Sequence, residues 1–98
     1  MNFSRLSIEY EIINNFSVKE LSDICSNLGM DSKFKSNQKL EAINCILEKI
    51  GSETDILIFN LNNEHIKKII NLIKLDSKPT RYENQSMLVE YLKKLKMN

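Results

Sequence analysis

The sequence contains few of the residues that interrupt regular structure. Its 98 residues include two glycines and one proline, and tryptophan is absent. With so little glycine and proline, the chain is neither a linker nor a low-complexity disordered segment. Hydrophobic residues make up 42% of the chain, which is enough for one modest core. The length alone predicts a single domain that covers residues 1–98.

Cysteine is also scarce, which limits disulfide and metal chemistry. Cys25 and Cys45 are too few for a disulfide framework, and neither has a cysteine or histidine at metal-ligand spacing. We expect Cys25 to be a small core residue and Cys45 to be partly exposed. This use of cysteine predicts an intracellular protein, in the cytoplasm or the nucleus.

No catalytic constellation is evident. His65 is the only histidine, stands beside Glu64 at a predicted helix start, and has no residues typical of a catalytic triad around it. We expect it to be a surface residue. Gly29 and Gly51 are isolated, so no glycine-rich phosphate loop is present. The sequence therefore predicts a protein that is not an enzyme and needs no cofactor.

Long apolar runs are missing as well. The first residues, MNFSRLSIEYEII, carry charges at positions 5, 9 and 11 and do not have the pattern of a signal peptide. No stretch approaches the length of a membrane span. We expect no membrane partner.

The clearest pattern is a helix, an extended loop and a second helix over residues 17–47. Ser17 and Glu20 form a capping box at the start of the first helix. The apolar stripe of this helix consists of Val18, Leu21, Ile24, Cys25 and Leu28. Gly29 follows, where helices commonly end in a left-handed residue.

A basic loop connects the two helices. Residues 30–36 have no periodicity and include Lys33 and Lys35. Ser36 or Asn37 is predicted to cap the second helix, which Gly51 ends. The apolar stripe of the second helix consists of Leu40, Ile43, Ile46, Leu47 and Ile50.

This pattern resembles a known group of small modules. The resemblance lies in the end of the first helix at Leu28–Gly29–Met30, the basic loop, and the opening Lys39–Leu40 with Ile43 and Leu47 beyond. The pattern is similar to the helix–extended-loop–helix group, which includes SAP, LEM and Rho-N-terminal-like modules. Met30 departs from the aliphatic residue that usually follows the glycine. The resemblance to SAP-like modules implies DNA or RNA binding through the loop and the second helix start.

The same unit recurs 45 residues later. Ser17 then corresponds to Asn62, and Asp31–Ser32–Lys33 is repeated as Asp76–Ser77–Lys78. The apolar positions also correspond: Leu21 to Ile66, Ile24 to Ile69, Cys25 to Ile70, Leu28 to Ile73 and Met30 to Leu75. After a three-residue insertion in the second loop, Leu40, Ile43 and Leu47 correspond to Leu88, Tyr91 and Leu95. We predict two tandem copies, about 1–51 and about 52–98.

A further segment precedes each copy. Residues 4–15 predict a helix with two apolar faces: Phe3, Leu6, Tyr10 and Ile13 on one, and Ile8 and Ile12 on the other. Residues 52–61 include the apolar run from Ile56 to Phe59, which fits either a short helix or a strand. The repeat favours a helix, with Ser52 and Asp55 as its N-cap arrangement.

The last helix is predicted over about residues 84–96, after a loop at 75–83. Its expected inward face consists of Leu88, Tyr91, Leu92 and Leu95, and its outer side of Lys93, Lys94 and Lys96. The predicted fold is therefore all-α, a compact bundle of about six helices built from two tandem helix–extended-loop–helix units.

Charge is unevenly distributed along the chain. Residues 1–60 carry six Lys or Arg against nine Asp or Glu, a balance of −3, and residues 61–98 carry eight against four, a balance of +4. This asymmetry indicates an interaction surface in the C-terminal part.

The candidate binding residues lie in the loop and at the second helix start of each copy. Free N–H groups and the positive dipole end at a helix start suit a phosphate, and basic side chains add charge. The candidates are Lys33, Lys35 and Lys39 in copy one, and Lys74, Lys78, Thr80 and Arg81 in copy two. The predicted function is a small nucleic-acid-binding module for DNA or RNA, with copy two making most of the contacts.

A protein-interaction domain without catalytic activity is the alternative. LEM-type modules in the same group bind proteins, and acidic residues crowd copy one. In this interpretation Phe3, Ile8, Ile12 or Tyr82 contributes an exposed apolar patch.

Overall fold

Six helices and no strand are present in the computed structural model, which describes residues 4–30, 33–51 and 53–97. The helices are α1 (Ser4–Ile13), α2 (Val18–Asn27), α3 (Lys39–Ile50), α4 (Thr54–Ile58), α5 (Asn63–Ile73) and α6 (Arg81–Met97). The predicted all-α class is confirmed, and the ambiguous segment that includes Ile56 forms a helix. Predictions for Phe3, the side chain of Leu6, Asp31, Ser32 and Ser52 lie outside the described residues.

The chain divides into two compact units, Met1–Glu53 and Thr54–Asn98. In the first unit, α1 and α2 both pack on α3, and in the second unit α4 and α5 both pack on α6. The division falls two residues from the predicted boundary between the copies. Each unit buries its own set of apolar side chains. In the first these are Ile12, Ile13, Phe16, Leu21, Ile24, Cys25, Leu28, Ala42, Ile43, Ile46 and Ile50. In the second they are Leu57, Ile58, Leu61, Ile66, Ile69, Ile70, Leu88, Val89 and Leu92.

The predicted capping box at the start of α2 is confirmed. The backbone N–H of Ser17 donates to Oε1 of Glu20 at 2.8 Å, and the N–H of Glu20 donates to Oγ of Ser17 at 3.2 Å. Two of the otherwise unpaired groups at this helix start are thereby satisfied.

The predicted surface position of His65 is wrong. His65 is the third residue of α5, and only 3% of it is exposed. Its Nδ1 accepts the N–H of Asn62, the residue that caps this helix, at 3.4 Å. A side chain that reaches back to the cap lies over the first turn instead of pointing into water. The histidine is therefore part of the local structure of α5.

Both α2 and α5 end in a left-handed residue. Gly29 has φ +82°, and the N–H of Met30 donates to the carbonyl five residues earlier at 2.9 Å. At the end of α5, Lys74 has φ +58°, and the N–H of Leu75 makes the same bond at 3.1 Å. This is the hydrogen bond of a Schellman motif, in which the chain turns sharply out of the helix.

The start of α3 differs from the prediction. The cap is Gln38, and neither Ser36 nor Asn37 takes that position. A tight turn precedes the helix: the N–H of Lys35 donates to Oε1 of Gln38 at 2.9 Å, and the N–H of Gln38 donates to the carbonyl of Lys35 at 2.8 Å. Because Ser36 and Asn37 form the middle of this turn, they cannot cap the helix.

The start of α6 also differs, because the helix begins at Arg81, three residues before the predicted start. Thr80 caps it: its Oγ1 accepts the N–H of Glu83 at 3.1 Å and donates to Oε1 of Glu83 at 2.8 Å. Arg81, Tyr82 and Glu83 therefore form the first turn of α6 and do not belong to the loop.

Several predictions of exposure need correction. Leu40 is 54% exposed, because the buried face of α3 is formed by Ala42, Ile46 and their neighbours, about 100° around the helix from Leu40. Leu95, in the last turn of α6, is 42% exposed. Ile12, a predicted member of an exposed patch, is 5% exposed because it lies in the buried set of the first unit. Lys96, predicted on the outer side, donates from Nζ to Oγ1 of Thr54 at 2.8 Å.

The expectation that Cys25 is a core residue is confirmed, since none of it is exposed. Burial, together with the neighbouring Cys45, raises the pKa of the Cys25 thiol. The thiol is the unreactive form of cysteine, so this residue serves as a small apolar side chain. Cys45 is half-buried.

Candidate functional site

A cleft of about 320 Å³ opens in the second unit between α5 and the start of α6. The exposed face of α5 forms one wall, and the segment from Ser77 to Thr80 with the first turn of α6 forms the other. Its lining residues are Asn63, Lys67, Ile70, Asn71, Ser77, Lys78, Pro79, Thr80, Arg81 and Asn84.

The charge of this cleft is entirely positive. Lys67, Lys78 and Arg81 line it, and no Asp or Glu among the residues that the structure describes does. All three side chains are exposed. Their cationic groups form no ion pair with any residue in the described ranges 4–30, 33–51 and 53–97. Three uncompensated cations around one concave surface produce a positive potential that attracts anionic groups.

A buried asparagine holds the loop wall in place. Asn84 is 4% exposed. Its Oδ1 accepts the N–H of Lys78 at 2.6 Å, and its Nδ2 donates to the carbonyl of Lys78 at 3.3 Å. Two bonds from one side chain therefore tie the loop to α6 and fix the backbone of Lys78 relative to Arg81. A loop already held in this way loses little conformational entropy when a ligand binds.

The start of α6 adjoins the same cleft, because its first residue, Arg81, lines it. Arg81 and Tyr82 occupy the first two helical positions, and their N–H groups donate to no atom of the residues that the structure describes. Such N–H groups, together with the helix dipole, favour a nearby negative charge. The hydroxyl of Thr80 is engaged with Glu83, so this side chain shapes the helix start.

A comparable cleft, of about 420 Å³, lies in the first unit between α2 and the loop that follows it. Its lining residues are Val18, Lys19, Ser22, Asp23, Ser26, Lys33, Phe34 and Ser36. When these positions are moved by 45 residues, six of the eight coincide with residues that line the cleft of the second unit. The two clefts thus occupy the same place in their units.

The side chains at the shared positions differ in charge. Ser22 in α2 corresponds to Lys67 in α5. At the loop end, Ser36 in the turn before α3 lines the first cleft, and Arg81, the first residue of α6, lines the second. The first cleft also has Asp23 in its lining. The charged residues among the described lining sum to +1 in the first cleft and to +3 in the second.

The predicted binding residues are only partly brought together. Lys78, Thr80 and Arg81 line the second cleft, and Lys33 lines the first. The remaining candidates line neither cleft: they are Lys35 in the first loop, Lys39 at the first position of α3, and Lys74 at the end of α5.

Sequence reasoning missed the contribution of α5. Asn63, Lys67 and Asn71 line the cleft, and their spacing of four residues places them along one side of α5. In the sequence, Lys67 and Asn71 have the spacing of an exposed polar helix face, which by itself does not indicate a site. Asn84 gave no signal of its role either, because the predicted last helix begins at that residue.

The described residues give little support for other kinds of site. Within the described residues, no group of three or more His, Cys, Asp or Glu side chains is placed to hold a metal ion. None of the helices in that part of the chain combines the length and apolar character that crossing a membrane requires. Comparison with protein-family models, curated proteins and solved structures gives no match.

Proposed function

We propose that this protein is a small, non-catalytic, intracellular nucleic-acid-binding module whose second unit makes the principal contact with DNA or RNA. The observation that carries the proposal is the cleft lined by Lys67, Lys78 and Arg81 without an acidic residue. A phosphate backbone is a regular array of negative charges, and such a surface neutralises several of them together.

Each part of the cleft has a role in this proposal. Arg81 offers a planar group that can donate two hydrogen bonds to one phosphate, and Lys67 and Lys78 act as point charges. The N–H groups at the start of α6 add donors that carry no base preference. These contacts fix the position of the backbone and give binding without strong sequence selectivity.

We further propose that the two units are tandem copies of one helix–extended-loop–helix module. Matching hydrogen bonds support this: Nδ2 of Asn15 donates to the carbonyl of Glu11 at 2.6 Å, and Nδ2 of Asn60 donates to the carbonyl of Ile56 at 2.6 Å. The donor and the acceptor of the second bond each lie 45 residues after those of the first. The resemblance to SAP-like modules agrees with nucleic-acid binding by such a unit.

The test measures binding to labelled duplex and single-stranded DNA and RNA by fluorescence anisotropy across a range of salt concentrations. Lys78→Glu with Arg81→Glu should weaken binding to every sequence and reduce the salt dependence by about two released counterions. The matched control is Lys93→Glu with Lys94→Glu, which changes net charge by the same amount with exposed α6 residues outside the cleft.

The control variant should retain most of the affinity. If it lost as much affinity as the cleft variant, net charge alone would explain binding and the cleft would have no special role. If the unmodified protein showed no salt-sensitive binding to any of the nucleic acids at low ionic strength, the proposal would be wrong.

A protein-interaction domain is the second candidate, and one surface favours it. A second cleft in the Thr54–Asn98 unit, of about 380 Å³, is lined by Leu75, Met87, Glu90, Tyr91, Lys94 and Leu95. Its largely apolar lining would bind an apolar segment with little dependence on salt. A partner whose binding is insensitive to salt and is abolished by Leu95→Lys would favour this function.

A further inference from the structure

Two aromatic side chains form an exposed pair in the second unit. The ring centroids of Phe59 and Tyr82 are 6.0 Å apart, with an angle of 34° between the ring planes. Phe59 is 42% exposed and Tyr82 is 69% exposed. Exposed aromatic rings leave apolar area in contact with water, so a ligand that covers them gains stability.

The pair is held by the packing of α4 on α6. Phe59 directly follows α4, and Tyr82 is the second residue of α6. Between the two helices, Nε2 of the buried Gln85 donates to the carbonyl of Ile58 at 3.2 Å. This bond fixes the end of α4 against the first turns of α6, so the two backbones that carry the rings are held together.

The aromatic pair adjoins the cationic cleft. Arg81 lines the cleft, and the next residue, Tyr82, contacts Phe59. The Cα atoms of Arg81 and Tyr82 are about 3.8 Å apart. Consecutive residues on a helix point about 100° apart. The first turn of α6 therefore presents a cation toward α5 and an aromatic ring toward α4, on neighbouring sides of the same turn.

We infer that Phe59 and Tyr82 stack against an unpaired base while the adjacent cleft holds the phosphates, so that the preferred ligand is a single-stranded nucleic acid. This inference rests on the proposed function. Positively charged grooves combined with exposed aromatic rings bind single strands, because every base has a face that can stack. The bases of a duplex are already stacked on one another and do not reach such a surface.

The first unit lacks this arrangement at the corresponding place. The position 45 residues before Phe59 is Asn14, a polar residue. The cleft of the first unit also carries the smaller positive charge. The aromatic pair and the stronger positive charge thus occur together in one unit, as expected if both serve the same ligand.

The experiment compares two labelled probes: an oligodeoxythymidine strand of about 12 nucleotides and a duplex of the same length. Phe59→Ala with Tyr82→Ala should weaken binding of the single strand about tenfold and change duplex binding less than about twofold. The slope of affinity against salt should stay unchanged, because no cation is removed. The matched control is Leu40→Ala, which removes an exposed apolar side chain from the first unit and should leave both affinities unchanged.

A second measurement uses the absence of tryptophan from the chain. Tyr82→Trp places the only indole in the pair and preserves an aromatic ring there. Its fluorescence should be quenched when the oligodeoxythymidine binds, and quenching should be much weaker with the duplex. Tyr91→Trp, with the indole at a half-buried position of α6, should show no such quenching.

The outcomes separate this inference from the proposed function. If neither probe bound in a salt-sensitive way, the proposed function itself would fail. If both probes bound but the alanine variant lost them equally, or the duplex bound as tightly as the single strand, only the base-stacking inference would be overturned. Self-association of the unmodified protein that disappears in the alanine variant would also overturn it, because the pair would then serve contacts between copies of the chain.

Discussion

The two units share a helix-cap geometry that is built with different side chains. Ser17 and Asn62 both cap a helix with nearly identical backbone angles, φ −72° and ψ 165° in the first and φ −69° and ψ 162° in the second. The residue three positions later reaches back to the cap in both units, a glutamate in one and a histidine in the other. Carboxylate and imidazole can both accept an N–H, so the backbone geometry survives a change of residue type.

In the clefts, by contrast, a change of residue type changes the charge that a ligand would meet. Most of their positions correspond, but Ser22 in the first unit is replaced by Lys67 in the second, and Arg81 at the start of α6 adds a further cation to the second cleft. Exposed positions of this kind contribute little to stability and are free to change. The comparison therefore separates positions that determine the fold, which keep their physical role in both units, from positions that determine what each cleft can bind.

The largest effect on stability is expected from substitutions at buried positions that correspond in the two units. Leu21 and Ile66 correspond at the 45-residue offset, and neither is exposed. Leu21→Ala and Ile66→Ala should each lower the free energy of unfolding by about 2–5 kcal/mol, because each leaves a cavity. Urea unfolding followed by circular dichroism measures both. An unchanged midpoint for either variant would mean that this residue does not have the packing role of its counterpart.

Much of the helical structure of the two units could be predicted from the sequence, because the signals that start and end each helix are local. The capping pair Ser17 and Glu20, the glycine after α2 and the apolar spacing each act within one or two turns. Thr80 and Glu83 carry the same local signal, which the polar residues around Pro79 obscure in the sequence. Pro79 lies outside α6, so its missing N–H removes no hydrogen bond of the helix.

The exposure of Leu40 and the burial of His65 could not be predicted in the same way. Leu40 has helical spacing to Ile43, yet the face that α3 buries is set by where α1 and α2 pack, which is not a local property. His65 is polar, and its burial depends on the hydrogen bond to the cap of α5. The lining of the cleft in the second unit was predictable only in part, because it also depends on how the helices pack. The loop residue Lys78 was identified, whereas Lys67 on the facing helix required knowledge of the packing.

A smaller effect on stability is expected from substitutions at the ends of α2 and α5. Gly29 and Lys74 both have positive φ, and a Cβ added at Gly29 would meet no atom within 4 Å. Gly29→Lys should therefore lower the free energy of unfolding by about 1 kcal/mol, because the backbone strain exceeds what is regained from the reduced freedom of the unfolded chain. Lys74→Gly should raise it by less than about 1 kcal/mol, because relief of strain is partly offset by the greater freedom of the unfolded chain.

Thermal and urea unfolding of these two variants provide the measurement, and Lys74→Gly has a second use. Since Lys74 does not line the cleft, its loss should leave nucleic-acid affinity almost unchanged. Stability changes of the same sign in the two variants would contradict the argument, because the strain of a positive φ would then not determine stability at these positions.

The smallest expected effect concerns charge in the first unit. Lys33→Glu with Lys35→Glu alters the loop that corresponds to the one carrying Lys78, but Asp23 in the first cleft already opposes a polyanion and Lys35 lies outside the cleft. Affinity for the single-stranded probe should fall less than about threefold, well below the loss expected from Lys78→Glu with Arg81→Glu. Fluorescence anisotropy at several salt concentrations compares the two variants. Unfolding of both should match that of the unmodified protein, because exposed charges contribute little to stability. Equal losses of affinity would mean that the units share the ligand evenly, and the difference in cleft charge would then have no functional meaning.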